Sequence, residues 1–281
     1  MRELDKFMSF EEINSVSCEF FDSHAHYYDE RFFGEENPEG AEALLSTLFE
    51  RGLLGVVNVS ASYADALKVI EQAKRFERVY AAVGVHPEEL EHGGLDYIEQ
   101  IERIRALAQS RDENKIAAIG EIGLDYYWRQ DNKAAQADCF VRQLELACEL
   151  GLPVIIHDRE AHGDCFETVL RYPEVRGVFH SYSGSADMAR ELIKRGWYIS
   201  FSGVVSFKNA VKIKEVAAVV PDDRILIETD APYLAPHPFR GRLNHSGRLF
   251  YTASALADAR GTTVDNISAI TYRNAKSLFG I

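Results

Sequence analysis

Two histidines one residue apart, His24-Ala25-His26, are the first side chains in this 281-residue chain whose spacing points to chemistry. In an extended strand that spacing puts both rings on one side, within reach of a single metal ion, and imidazole suits zinc and its neighbours. On its own such a pair is equally readable as structural. It is accompanied, however, by His86, Glu121, His157, His180 and Asp230, each at or near the end of a short apolar run, so five of the nine histidines fall into one set. His157 follows Val154-Ile155-Ile156 and His180 follows Gly177-Val178-Phe179, where an imidazole without a partner would be a buried, unsatisfied polar group. Taken singly, each reads equally well as a hydrogen-bonded core histidine. Glu121 interrupts AAIGEIGLD and Asp230 interrupts RILIETDAP, and a carboxylate inside a fold is costly unless a cation is beside it. Arg159 is the best protein cation at these strand ends and can compensate only one of the two. A site for two metal ions therefore accounts for four histidines and two carboxylates better than a buried salt bridge does.

The apolar runs that end in these residues must be the elements that position them. They read as strands over residues 18–26, 53–60, 79–86, 116–125, 152–159, 176–183, 197–204 and 224–231, with segments of helical period between them. The clearest helix covers 133–150, where Phe140, Leu144 and Ala147 share a stripe and Gly151 ends it; Gly177, Gly196 and Pro221 punctuate later returns to strand. Eight βα units predict an α/β fold, a TIM-type (β/α)8 barrel in one domain, with the active site at the carboxyl ends of the strands. An open doubly wound sheet is the alternative, but it needs a glycine-rich phosphate loop after the first strand, and DSHAHYYDE supplies none. No linker or low-complexity tract divides residues 18–281, and residues 1–17 are expected to form a solvated arm or a short packing helix.

The bulk numbers set limits. With 46% hydrophobic residues the chain can bury a large core, and its longest apolar runs are strand-length, far short of the roughly 20 residues that span a bilayer. The first residues lack the apolar core of a secretory signal, so a cytoplasmic protein is expected, with no membrane contact and no obligatory protein partner evident. Cys18, Cys139, Cys148 and Cys165 lack CxxC spacing and read as packed thiols of a reducing compartment. A net charge of −13 repels a polyanion at long range, so a nucleic-acid substrate would need local positive charge. Arg159 could grip a phosphate oxygen, and Arg240, Arg242 and Arg248 could form a positive rim, although an ordinary solvated charge run fits them as well. Tyr126, Tyr127 and Trp128 could stack on a base or pack on the barrel rim. His92, His162, His237 and His245 are expected at the surface.

Several long motifs in one order, FDSHAH, VGVHPEE, AIGEIGLDYYW, the helix from Gln136 to Leu150, LPVIIHDREAH, FHSYSGS, YISFSGVVSFK, LIETDAPYLAP and RNAKSLFG, cover nearly the whole chain and resemble the TatD family of metal-dependent deoxyribonucleases, in the amidohydrolase superfamily. The resemblance implies that His24, His26, Glu121 and Asp230 hold one metal, that Glu121, His157 and His180 hold a second, and that His86 has an active-site role. It implies two divalent ions, zinc, manganese or magnesium, and a DNA exonuclease acting through a hydroxide that the two metals activate. Glu121 would bridge and Asp230 would accept the nucleophile's proton. Two ions and two carboxylates leave a local charge of about +2, able to act inside the roughly 10 Å beyond which salt screens it. The alternative reading is an amidohydrolase or esterase acting on a small molecule or on an aminoacyl ester of RNA. A barrel that binds without catalysing is disfavoured by intact ligand types at every expected strand end. In relatives the segment after the last strand continues with arginine, asparagine, an acid and proline, whereas here it reads Arg242, Leu243, Asn244, His245, Ser246. That loop shapes substrate access, so the resemblance leaves substrate preference open.

Overall fold

Each apolar run forms a parallel strand in the computed structural model, which describes residues 19–33 and 40–281. The strands are β1 (Phe21–Ala25), β2 (Gly55–Val59), β3 (Val79–Val83), β4 (Ile116–Asp125), β5 (Val154–Arg159), β6 (Gly177–Phe179), β7 (Tyr198–Phe201) and β8 (Ile225–Ile227). They pair in chain order in one eight-stranded sheet. A bridge between Ala25 and Ala231 brings the two edges together, with His26 N–H donating to Ala231 O (2.7 Å) and Asp230 N–H donating to His24 O (2.9 Å). The seam of the barrel thus runs through three of the expected site residues. The N-terminal arm and Cys18 lie outside the described residues.

Helices cover the outside, among them α1 (Gly40–Glu50), α2 (Tyr63–Arg75), α3 (Tyr97–Gln109), α4 (Lys133–Leu150), α5 (His162–Leu170), α6 (Ala186–Lys194), α7 (Val211–Val219), α8 (Leu249–Arg260) and α9 (Val264–Phe279). One large apolar cluster joins helix residues such as Leu45, Leu144 and Leu256 to the outward strand residues, and a smaller one, including Val57, Ala82, Ile155 and Leu226, is closed below by Leu278 and Phe279 of α9. Among the described residues no helix is long and apolar enough to cross a membrane.

Helix α4 does more than cover. Gln136 accepts from the backbone N–H of Asp125 and donates to its carbonyl, both at 2.9 Å, and Gln143 does the same for Val85 at 2.7 and 2.9 Å. A glutamine amide pairs with a strand end as a neighbouring strand would, so two residues one heptad apart fix Asp125 and the backbone next to His86. The strands are shorter than the sequence runs: Asp230 lies three residues beyond β8, with φ +55°. Cys139 and Cys165 are buried free thiols and Cys148 is half-buried.

Candidate metal centre

Strand β4 carries the residue around which the site is built. Its ladder to β5 slips between Ile119 and Ile122; beyond the slip Ile122 and Leu124 join the outer apolar cluster, while Glu121 and Asp125, on the alternate face, meet His157 of β5. Gly123 between them has φ +144°, and a Cβ there would lie 2.0 Å from the carbonyl oxygen of His157, so no other residue fits.

Glu121 divides its oxygens. Oε2 lies 3.4 Å from His24 Nε2 and 3.8 Å from His26 Nε2. Those nitrogens are 3.0 Å apart, and Asp230 Oδ1 lies 3.5 and 3.2 Å from them. Four donors around zinc at 2.0–2.1 Å define a tetrahedron with edges of about 3.3 Å, which these separations bracket. Oε1 lies 2.7 Å from His157 Nδ1 and 2.8 Å from His180 Nε2, which are 3.3 Å from each other, forming a second group of three donors. The two groups could each hold a divalent ion, sharing one carboxylate.

The nitrogens not aimed at Glu121 support that fit. His26 Nδ1 donates to Val59 O (2.7 Å), His157 Nε2 to Asp125 Oδ2 (3.0 Å) and His180 Nδ1 to Glu228 Oε1 (3.1 Å), so each ring, once its inner nitrogen loses its proton, would turn a lone pair toward the centre. His24 Nδ1 has no partner among the described residues; its ring stacks on that of His180, centroids 4.1 Å apart. His86 behaves differently. Burial pushes its pKa down to about 3, with the charge of His157 adding to the effect, and its Nδ1 accepts from the Glu88 N–H (3.2 Å). With Nδ1 accepting, the proton of this neutral ring sits on Nε2, 3.9 Å from Glu121 Oε1, although His86, Glu121 and His157 are also close enough together to hold an ion.

Burial opposes charge throughout the centre; it prevails at His24 and His86, and the grouping overrides it at Glu121, His157 and His180. Glu121 is held well below the usual carboxylate range by His180, His24 and His157, while Glu121 and Asp125 push His157 up to about 9 and Glu121 with Glu228 raises His180. Without metal, both imidazoles carry protons at neutral pH, and an ion must displace them. Asp230 and Glu121 raise His26 as well, so zinc added to metal-free protein at pH 7 is expected to release about two or more protons per chain, with affinity rising toward pH 9. Calorimetry in buffers of different ionisation enthalpy reads the number, and zero release would contradict this electrostatic account.

The residues expected from sequence, His24, His26, Glu121, His157, His180 and Asp230, converge, and His86 joins them edge-on to His157. Arg159 does not compensate Glu121; its guanidinium lies 4.1 Å over the Tyr127 ring. Asp125 and Glu228, behind His157 and His180, were missed, although Asp125 stands four residues from Glu121 in one strand and Glu228 two from Asp230. They add two negative charges, which lowers the expected surplus of about +2. Asp22 was missed too: fully buried, it accepts from Thr229 N–H and Oγ1 and from Ser246 Oγ, tying β1 to the end of β8.

Two surface expectations are corrected. Arg248 is buried with its guanidinium 4.3 Å over Phe239 and Nη1 donating to Leu243 O, while Arg240 and Arg242 lie over Phe207 and Phe239 and neither lines the cavity over the site. His245 is buried, accepting at Nδ1 from Gly247 N–H; His92 and His162 are half-exposed and His237 exposed. Residues 244–248 thus brace the barrel seam, while residues 240–243 just before them reach the surface.

Comparison with known proteins follows the same lines. The family model described as "TatD related DNase" matches residues 21–280. An uncharacterized metal-dependent hydrolase of Bacillus subtilis, YabD, is 39% identical over 265 residues, covering 93% of this chain and 99% of that protein. The uncharacterized metal-dependent hydrolase TatD of Mycobacterium tuberculosis is 34% identical over 255 residues, covering 88% and 94%. The crystal structure of YjjV, a TatD homolog from Escherichia coli, superposes with a TM-score of 0.81 at 28% identity, covering 95% of this chain and all of that one.

Proposed function

The chain belongs to the TatD related DNase family of metal-dependent hydrolases, and from that premise we propose that it is a phosphodiesterase that degrades DNA from an end at a two-metal site. The observation that carries this reading is Glu121, one oxygen of which serves His24, His26 and Asp230 while the other serves His157 and His180. Divalent ions held by His24, His26, Glu121, Asp230, His157 and His180 would supply an activated water and offset the charge that builds on the phosphoryl oxygens. The protein's own groups do the rest. Asp230, half-buried at the edge of the cavity, takes the proton of the attacking water. His86 donates from Nε2 to a phosphoryl oxygen, and Asp125 and Glu228 hold the His157 and His180 rings in orientation. Arg159, at the mouth, grips a phosphate oxygen of the bound strand.

A small-molecule ester or amide is the second reading, favoured by one feature: Asp29, Glu88 and Glu89 line the 360 Å³ cavity over the site, and Arg159 is its one lysine or arginine among the described residues. End-labelled linear DNA, circular single-stranded DNA and a panel of amides and esters, given to protein loaded with manganese or zinc, separate the two. Linear DNA is expected to be shortened from its termini, more slowly as salt is raised, with circles resistant. Rapid cutting of circles, or turnover of amides or esters alone, would overturn the nuclease reading.

A further inference from the structure

The turn after β4 separates three aromatic residues that the sequence leaves equivalent. Tyr126 is buried, its hydroxyl donating to Asp164 Oδ2 (2.8 Å) and its ring under Lys133. Tyr127 and Trp128 are 54% and 60% exposed, so rim packing does not account for them. Yet they are fixed. Asp125 Oδ1 accepts from both of their backbone N–H groups, at 2.9 and 3.1 Å, while its other oxygen holds His157. The two rings meet edge to face, centroids 4.8 Å apart, and the Arg159 guanidinium lies over both, 4.1 Å from Tyr127 and 5.4 Å from Trp128. One carboxylate therefore sets both a candidate metal ligand and an exposed aromatic pair, and Trp128 and Arg159 form part of the cavity wall that holds Glu121, His157 and Asp230.

We propose that Trp128, braced edge to face by Tyr127 and backed by Arg159, forms a stacking platform for one unpaired nucleobase next to the scissile phosphate. The inference rests on the nuclease reading above. An exposed π-face beside a guanidinium takes any base, since every base offers a π-face of its own. The acids in the same cavity, Glu88 and Glu89, can accept from the amino edge of an uncharged ring placed there. A base inside a duplex is stacked on its neighbours and cannot reach the platform without being extruded, which costs free energy.

Two measurements test this. Steady-state kinetics on a single-stranded oligonucleotide are compared with those on the same oligonucleotide ending in abasic residues, for the full chain and for Trp128→Ala and Trp128→Phe. Trp128→Ala is expected to raise KM about tenfold or more on the base-bearing end with kcat little changed, Trp128→Phe to restore most of it, and neither to matter on the abasic end. Separately, dAMP is expected to quench the fluorescence of Trp128, a signal lost in Trp128→Phe because the other tryptophan, Trp197, is buried. An equal loss on abasic ends, or no quenching by dAMP, overturns the platform. Quenching without any DNA turnover keeps the platform and defeats the nuclease reading instead.

Discussion

Asp230→Asn is expected to lower the turnover number about a hundredfold or more while the barrel stays folded. The residue sits just beyond β8 with φ +55°, a conformation that asparagine tolerates nearly as well as any residue except glycine, so the backbone has no reason to move. Its N–H would still donate to His24 O and its carbonyl would still accept from Tyr233 N–H, both of which close the barrel seam or the turn after it. The change removes the carboxylate charge that Oδ1 presents 3.2 Å from His26 Nε2, and with it the proton acceptor. Weaker metal binding would also slow the enzyme, so metal content has to be measured on the sample used for kinetics. A variant that keeps near-normal turnover with both ions bound would refute Asp230 as the base and leave the barrel and the metal centre untouched.

What the sequence shows and what it hides follow from how each signal is encoded. Strand runs such as Leu152 to His157 are legible because β-branched residues cluster where both faces are covered, and residues at strand ends point to the site because a barrel gathers them there. Hence the converging set could be assembled from types and spacing. Asp125 and Glu228 were hidden because their roles are relational. Each supports a histidine on another strand, and only the slip in the β4 ladder and the pairing of neighbouring strands reveal which histidine that is. The buried pair His245 and Arg248 misled for a different reason. Polarity along a loop suggests solvent, but here the loop folds back under the seam, where Phe239, a backbone carbonyl and the Gly247 N–H supply contacts that water would otherwise make. The end of β8 was overestimated because Glu228, Thr229 and Asp230 leave the ladder to build the seam and the site.

Glu121→Gln separates a bridging carboxylate from one that serves a single ion. Glutamine keeps the length and shape, yet it presents one oxygen where Glu121 presents two, and its amide nitrogen cannot ligate a metal. Whichever way the amide turns, one of the two donor groups loses its shared oxygen: the His24, His26 and Asp230 group, or the His157 and His180 group. Both groups also lose the negative charge common to them. The metal content of protein reconstituted with excess zinc or manganese is therefore expected to fall from up to two ions per chain to well under half of that, and turnover to fall with it by about three powers of ten. Asp230→Asn is the contrast, since Asp230 lies nearest His24 and His26 and reaches the second group only through His180, within 4.8 Å, so the ion held by His157 and His180 depends on it less. Loss of one ion and full retention of the other in Glu121→Gln would show that the carboxylate belongs to a single centre. Binding of two ions at unchanged affinity would remove Glu121 from the ligand set, and the short contacts around its Oε1 would then have to be read as hydrogen bonds to protonated imidazoles.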